Sequence, residues 1–326
     1  MAYRIPWLPS DLSLLDERCP LPLTGPFTAA RAQELGVSRT RLATLSRRGL
    51  VRPVLRGVYA AAQVVDTIEF RAAALALVVP PTAIVTDRTA AWLHMVDVLA
   101  PSAVHEMPPV EIYSRAGSRL RRPDVASGER RMRDEDVMVA NGVLVTTKLR
   151  TALDLGRRLN RFHALAALDA LLRAGVRHEE LLAGVERFRG ERGVVQLRAL
   201  APLADPRPES PPESVLRLHW LDASGMPPPE PQVWVHDGGY ARYRVDVGND
   251  DLRYGAEYDG ALFHQDVEVD EGRRDWLDES GGWIIDAFTA EDIYPRGDPT
   301  TRLQHGVYRA RRRSGLWVPQ GGYLRR

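Results

Sequence analysis

One short segment of the chain, RYRVDVGNDDLRYGAEYDGALFH, residues 242–264, carries carboxylates within and just after its strand-like runs: Asp246, Glu257 and Asp259. Asp is depleted in strands because it favours turns, yet the flanking runs Tyr243–Gly248 and Tyr254–Tyr258 read as two strands of a hairpin around NDDL. Glu257 and Asp259 are two apart, which puts them on one face of a strand. Asp246 stands on the neighbouring strand and can face them. Carboxylates brought together repel and raise one another's pKa, so the group calls for a compensating cation. Oxygen-rich clusters suit Mg²⁺, which binds one or two carboxylates and keeps several waters. A metal held in that way can activate water and stabilise a phosphodiester transition state. The segment is therefore a candidate metal-dependent phosphodiesterase site.

The neighbouring elements must hold these side chains in place. SPPESVLRLHWLDASG, residues 210–225, predicts a helix capped by Ser210, with Pro211 in its first turn and Gly225 at its end. Glu213 lies three residues after Ser210, the spacing of a capping box. Residues 229–236 read as a strand, 272–279 as a helix and 282–288 as an apolar strand. PLADPRPESPPE, residues 202–213, is proline-rich and polar and marks a boundary.

A second chemistry stands at the other end. In GPFTAARAQELGVSRTRLATLSRRGLVRPVLRGVYA, residues 25–60, Thr28 caps a short helix through Glu34. Gly36 permits a turn, and Ser38 caps a second helix from Arg39 to Arg48 that stops at Gly49. Ala32, Gly36 and Leu42 have the spacing of a helix-turn-helix. Val51–Leu55 and Gly57–Ala60 predict a two-stranded wing. Arg39, Thr40 and Arg41 open the second helix, where a recognition helix meets base edges. Arg47, Arg48, Arg52 and Arg56 are placed to reach phosphates. A helical hairpin with a solvated basic face is the plainer alternative.

Charge divides along the chain. The total is +1, but residues 1–60 sum to +5, residues 205–295 to −14 and residues 296–326 to +7. A basic head and tail around an acidic block suggest different partners for different parts. One cysteine, Cys19, excludes an intrachain disulfide and fits a reducing cytoplasm. No run of about 18 apolar residues predicts a membrane span, and the first residues carry no apolar signal core. Residues 61–204 alternate helical and strand patterns, with VEIYS (110–114) and VMVANGVLVTT (137–147) as strands, and hold no evident catalytic constellation. His94, His105, His163 and His178 stand alone there.

Ser210 to Phe288 resembles the nuclease-like domain related to very-short-patch-repair endonucleases, within the PD-(D/E)XK superfamily. The resemblance rests on Glu213, on Asp246 in YRVDV, on E-Y-D-G-x-x-x-H from Glu257 through His264, on Asp270 with Arg273, and on Leu277 and Gly281 to Trp283. It implies Asp246 and Glu257 as ligands of Mg²⁺ or Mn²⁺ and Glu213 as a ligand or supporting carboxylate. His264 would activate water or protonate the leaving group. The superfamily usually carries Lys two residues after the strand acid; here that residue is Asp259, and the short-patch-repair branch also lacks the Lys. Arg273 or His264 would supply the missing positive charge, and the basic tail RARRRSG would contact the DNA backbone.

LGVSRTRL and RRGLVRPVLRGVYA resemble the winged-helix domain of AbiEi-type antitoxins, and TTKLRTALDLGRRL with AALDALLRAG resembles the linker domain of the same bacterial proteins. The expected architecture is α/β and multidomain. A winged helix-turn-helix (1–62) precedes a mixed α/β middle domain (63–204) and a PD-(D/E)XK-like α/β domain with a basic tail (205–326). Two functions stay open: a Mg²⁺-dependent endonuclease acting on double-stranded DNA, and a non-enzymatic repressor of its own operon that neutralises a nucleotidyltransferase-like toxin.

Overall fold

In a computed structural model, the structure describes residues 13–98, 110–114, 125–260, 272–273, 276–279, 281–294 and 297–315. The protein is mixed α/β, with three separate sheets. It divides into two compact units. The first takes in the described residues up to Val98, those of 102–155, and Glu179–Gly184. The second takes in Gly156–His178 and the described residues from Val185 onward.

The first unit begins with β1 (Phe27–Thr28), α1 (Ala29–Glu34) and α2 (Arg39–Arg47). Thr28 Oγ1 accepts from Arg31 N–H at 3.0 Å and Ser38 Oγ from Arg41 N–H at 3.4 Å, so each hydroxyl satisfies a donor that the first helical turn leaves over. Gly36 turns the chain between the helices at φ +84°, a conformation that costs glycine little. Two strands follow, β2 (Val51–Leu55) and β3 (Val58–Ala61). They join through Arg56 and Gly57, and the sheet order is β1-β3-β2. The two-residue β1, ahead of α1, is an addition to the predicted wing. Ala32, Val37, Leu42, Leu45, Leu50 and Val51 form the apolar centre of this part.

The rest of the unit holds α3 (Ile68–Ala76), β4 (Ile84–Val85), α4 (Asp87–Leu93), β5 (Val110–Ser114), β6 (Val125–Glu129), β7 (Val137–Ala140) and β8 (Val143–Thr146). The sheet runs β6-β5-β4-β8-β7. Residues 137–147 form a hairpin: Asn141 and Gly142 both take positive φ, +47° and +83°, the two-residue turn that matches strand twist. The helix α5 (Lys148–Arg158) carries the chain across the boundary between the units.

The second unit continues with α6 (Arg161–Arg173), the ends of α7 (His178–Val185), α8 (Val194–Leu200) and α9 (Pro211–Asp222). A sheet follows, built from β9 (Glu230–Asp237), β10 (Tyr240–Asn249), β11 (Tyr254–Tyr258) and β12 (Ile284–Phe288), in the order β12-β11-β10-β9. β9, β10 and β11 are antiparallel, while β12 runs parallel to β11. The helices α10 (Ala290–Ile293) and α11 (Thr300–Arg313) close the unit.

Val245 belongs to an apolar cluster with Val233, Val235, Leu277 and Trp283. Val247 belongs to another, with Leu216, Trp220, Tyr254 and Leu303. Residues two apart in a regular strand share a face, so β10 turns over at Asp246. Val245 pairs with Val233 and Val247 with Pro231, which sets Asp246 across from Gln232. Gln232 has φ +58°, a strained conformation for a side chain of its kind, costing on the order of 1–3 kcal/mol.

Candidate functional site

The second unit brings four of the predicted site residues together. Val247 pairs with Ala256 in the β10–β11 register, which sets Asp246 across from Glu257. Asp246 Oδ2 accepts from the Tyr258 N–H at 2.8 Å. Burial pushes the Asp246 carboxyl up to about 7, helped by the charges of Glu213 and Glu257; the Tyr258 N–H and Arg273 oppose that rise. Removing water disfavours the charged form, and each nearby carboxylate adds to the cost.

Glu257 is 7% exposed and already has a counter-ion. Arg273 Nη1 donates to its Oε2 at 3.0 Å and Nη2 to its Oε1, a two-pronged pairing. The same Nη2 donates to the Arg244 carbonyl at 3.0 Å. Glu213 keeps the capping role that its spacing allowed. Its Oε1 accepts from Ser210 Oγ at 2.7 Å, and its Oε2 from Glu209 N–H at 2.8 Å and Gln232 Nε2 at 2.6 Å.

Asp259 lies past the end of β11, where its N–H donates to the Phe288 carbonyl at 2.7 Å and its charge acts on Tyr258. His264 and Asp270 lie outside the described residues. Among the described residues, no three His, Cys, Asp or Glu side chains are grouped to hold a metal ion. The donor chemistry agrees: both Glu257 oxygens face one guanidinium, and both Glu213 oxygens accept from N–H or O–H groups. As they are paired among the described residues, Glu213 and Glu257 do not fit a Mg²⁺ or Mn²⁺ centre, which needs several oxygens turned toward the ion.

Gln232 is the member that sequence reasoning missed. A positive φ outside glycine leaves no compositional trace, and only the bond to Glu213 reveals its part. The first unit also holds an unforeseen buried network. Arg130 pairs with Asp87 at 2.8 Å and Asp154 at 2.7 Å; Arg150 pairs with Asp154 at 2.8 Å and Asp136 at 2.7 Å. Arg130 also stacks 4.0 Å over the Tyr113 ring. Of these links only Arg150 with Asp154 has a helical spacing that a sequence displays.

The predicted DNA-contacting residues separate into two groups. Arg39, Thr40, Arg47, Arg48 and Arg56 are exposed, and Arg41 is half-buried. Arg41 Nη1 donates to the Gly36 carbonyl at 3.3 Å, and Arg47 Nη2 to Thr44 Oγ1 at 3.2 Å. Arg52 instead turns inward. Its Nη2 donates to the Val64 carbonyl at 3.2 Å, and the guanidinium lies 4.9 Å from the Phe70 ring centre.

Half-exposed arginines of the last helix also pair with acids of the same unit. On α11, Arg309 pairs with Asp286 at 2.6 Å, Arg313 with Asp278 at 2.5 Å and Arg302 with Asp292 at 3.7 Å. Opposite charges in a folded unit find each other, and much of the acidic block's compensation is internal. Among the described residues no helix is long and apolar enough to cross a membrane.

Residues 82–203 match the AbiEi antitoxin C-terminal domain, inside the predicted middle region. The chain is also 34% identical over 278 residues to the Uncharacterized protein Rv2248 of Mycobacterium tuberculosis (strain ATCC 25618 / H37Rv). That alignment covers 81% of this chain and 94% of the relative. Identity and coverage are the same for the Uncharacterized protein MT2308 of strain CDC 1551 / Oshkosh. The chain belongs to the family of these two mycobacterial proteins.

Proposed function

We propose that the protein is a DNA-binding repressor of the antitoxin type, and that α2 with the β2–β3 hairpin makes its contact with double-stranded DNA. The observation that carries this reading is the exposed opening of α2. Arg39 and Thr40 stand at the capped N-terminus of the second of two helices joined at Gly36, with Arg56 at the hairpin turn. A winged helix-turn-helix presents its recognition helix in this way. The match over 82–203 to an antitoxin domain supports a toxin as the protein partner, of the nucleotidyltransferase-like class. Gel shifts on DNA upstream of the protein's own gene test the reading. Arg39→Ala with Arg41→Ala should weaken specific binding by a few kcal/mol, each good base contact being worth about 1–3 kcal/mol. Equal affinity of parent and double variant sinks it.

A second reading is the metal-dependent endonuclease. The convergence of Glu213, Asp246 and Glu257 supports it. It requires Arg273 to release Glu257, which weighs against it.

A further inference from the structure

We infer that Arg273 is the resident cation of the acid cluster, and that the cluster serves as an ion-pair lock on the sheet in place of a metal centre. Glu213, Asp246 and Glu257 meet on three elements, and such a meeting is unstable without positive charge. Arg273 supplies it. A guanidinium fork matches a carboxylate edge in a way that a hydrated ion does not. Arg273 engages both oxygens of Glu257 and a backbone carbonyl of β10.

Other acceptors of the cluster are engaged as well. Glu213 accepts from Ser210, Glu209 and Gln232, and Asp246 Oδ2 accepts from Tyr258. The strained backbone of Gln232 is joined to the cluster by its side-chain bond to Glu213. Arg273 stands four residues before Leu277, which is fully buried among Val233, Val235, Val245 and Trp283. The ion pair and that apolar anchor therefore fasten the same stretch of chain to β9 and β10. This inference is independent of DNA binding by the head, whose gel shift does not bear on it.

Calorimetric titration of the full chain with Mn²⁺, together with thermal unfolding, tests it. The expectation is no saturable Mn²⁺ binding by the parent. Arg273→Gln should lose on the order of 5 °C in Tm, because it strands a buried carboxylate. The double variant Glu257→Gln/Arg273→Gln, which removes both charges, should recover most of that loss. Saturable Mn²⁺ binding by the parent that disappears in Glu257→Gln overturns the inference, as does an Arg273→Gln protein with the parental Tm. Where Arg273→Gln does not fold, the double variant decides: a Tm near the parent's upholds the lock, and failure to fold overturns it.

Discussion

Arg217 on α9 donates two hydrogen bonds to Asp169 on α6, at 3.0 and 2.8 Å, and both side chains are buried. Asp169 also accepts from the Asp205 N–H at 2.9 Å, and Arg217 donates to the Leu203 carbonyl at 2.9 Å. The pair thereby ties two helices and the proline-rich connection between them into one body. Removing one partner of a buried pair leaves an uncompensated charge and costs about 3–5 kcal/mol. Arg217→Leu should show a loss of that size in urea unfolding followed by far-UV circular dichroism. Asp169→Leu/Arg217→Leu should be closer to the parent than either single variant. A parental midpoint for Arg217→Leu would show the pair to be idle.

Arg52 and Arg56 should behave differently although both are basic and sit on one hairpin. Arg52→Ala removes a ring contact with Phe70 and a bond to the Val64 carbonyl, so it should lower thermal stability and leave the salt dependence of DNA binding nearly unchanged. Arg56→Ala should leave stability unchanged and make the slope of log K against log salt shallower by about 0.9, the value of one phosphate contact. Binding titrations at several salt concentrations, beside melting curves, separate the two.

Asp246 gives stability a pH dependence of defined sign. Its carboxyl is raised in the folded protein to about 7 from an ordinary 3.8. A raised acid contributes full stability below the unfolded value and loses it as pH climbs through the folded one. The loss between pH 4 and pH 8 is at most roughly 4 kcal/mol. Asp246→Asn should remove it, so that the variant gains on the parent at pH 8 and not at pH 4. Unfolding free energies of both proteins at these pH values check this; parallel curves would contradict it.

Gly306 on α11 lies against the Tyr254 ring so closely that a Cβ would come within 2.2 Å of Tyr254 Cε2. Tyr254 is fully buried and its hydroxyl donates to Asp286 Oδ2 at 3.1 Å, so the ring has little room to retreat. Gly306→Ala should destabilise by about 1–3 kcal/mol through overpacking. Tyr254→Leu in the same chain should reduce that penalty, which a double-mutant cycle of unfolding free energies measures.

The local signals were legible wherever they are local in cause. Thr28, Ser38 and Ser210 cap helices through hydroxyls to nearby amides, and Gly36 and Gly49 end them. Such features act over a few residues and are written in a few residues. The facing of Asp246 and Glu257 followed from strand period and one turn. What escaped depends on distant partners. The contacts of Arg52 with Phe70 and Val64 were not legible because nothing near it in sequence names those partners. The pairs of Arg313, Arg309 and Arg302 were not legible because Asp278, Asp286 and Asp292 are remote in sequence. Gln232 and the Arg130 network were invisible for the same reason.

The fit between Gly306 and Tyr254 also constrains how the family can diverge. Tyr254 cannot stay while position 306 acquires a side chain, and a smaller residue at 254 opens space that favours one. Asp286 is drawn in, since it accepts from the Tyr254 hydroxyl and pairs with Arg309, one turn beyond Gly306. A lineage that exchanges the tyrosine loses the reason for the aspartate and the glycine together. Positions 254, 286, 306 and 309 should therefore be inherited as a set, changing in concert among relatives or not at all.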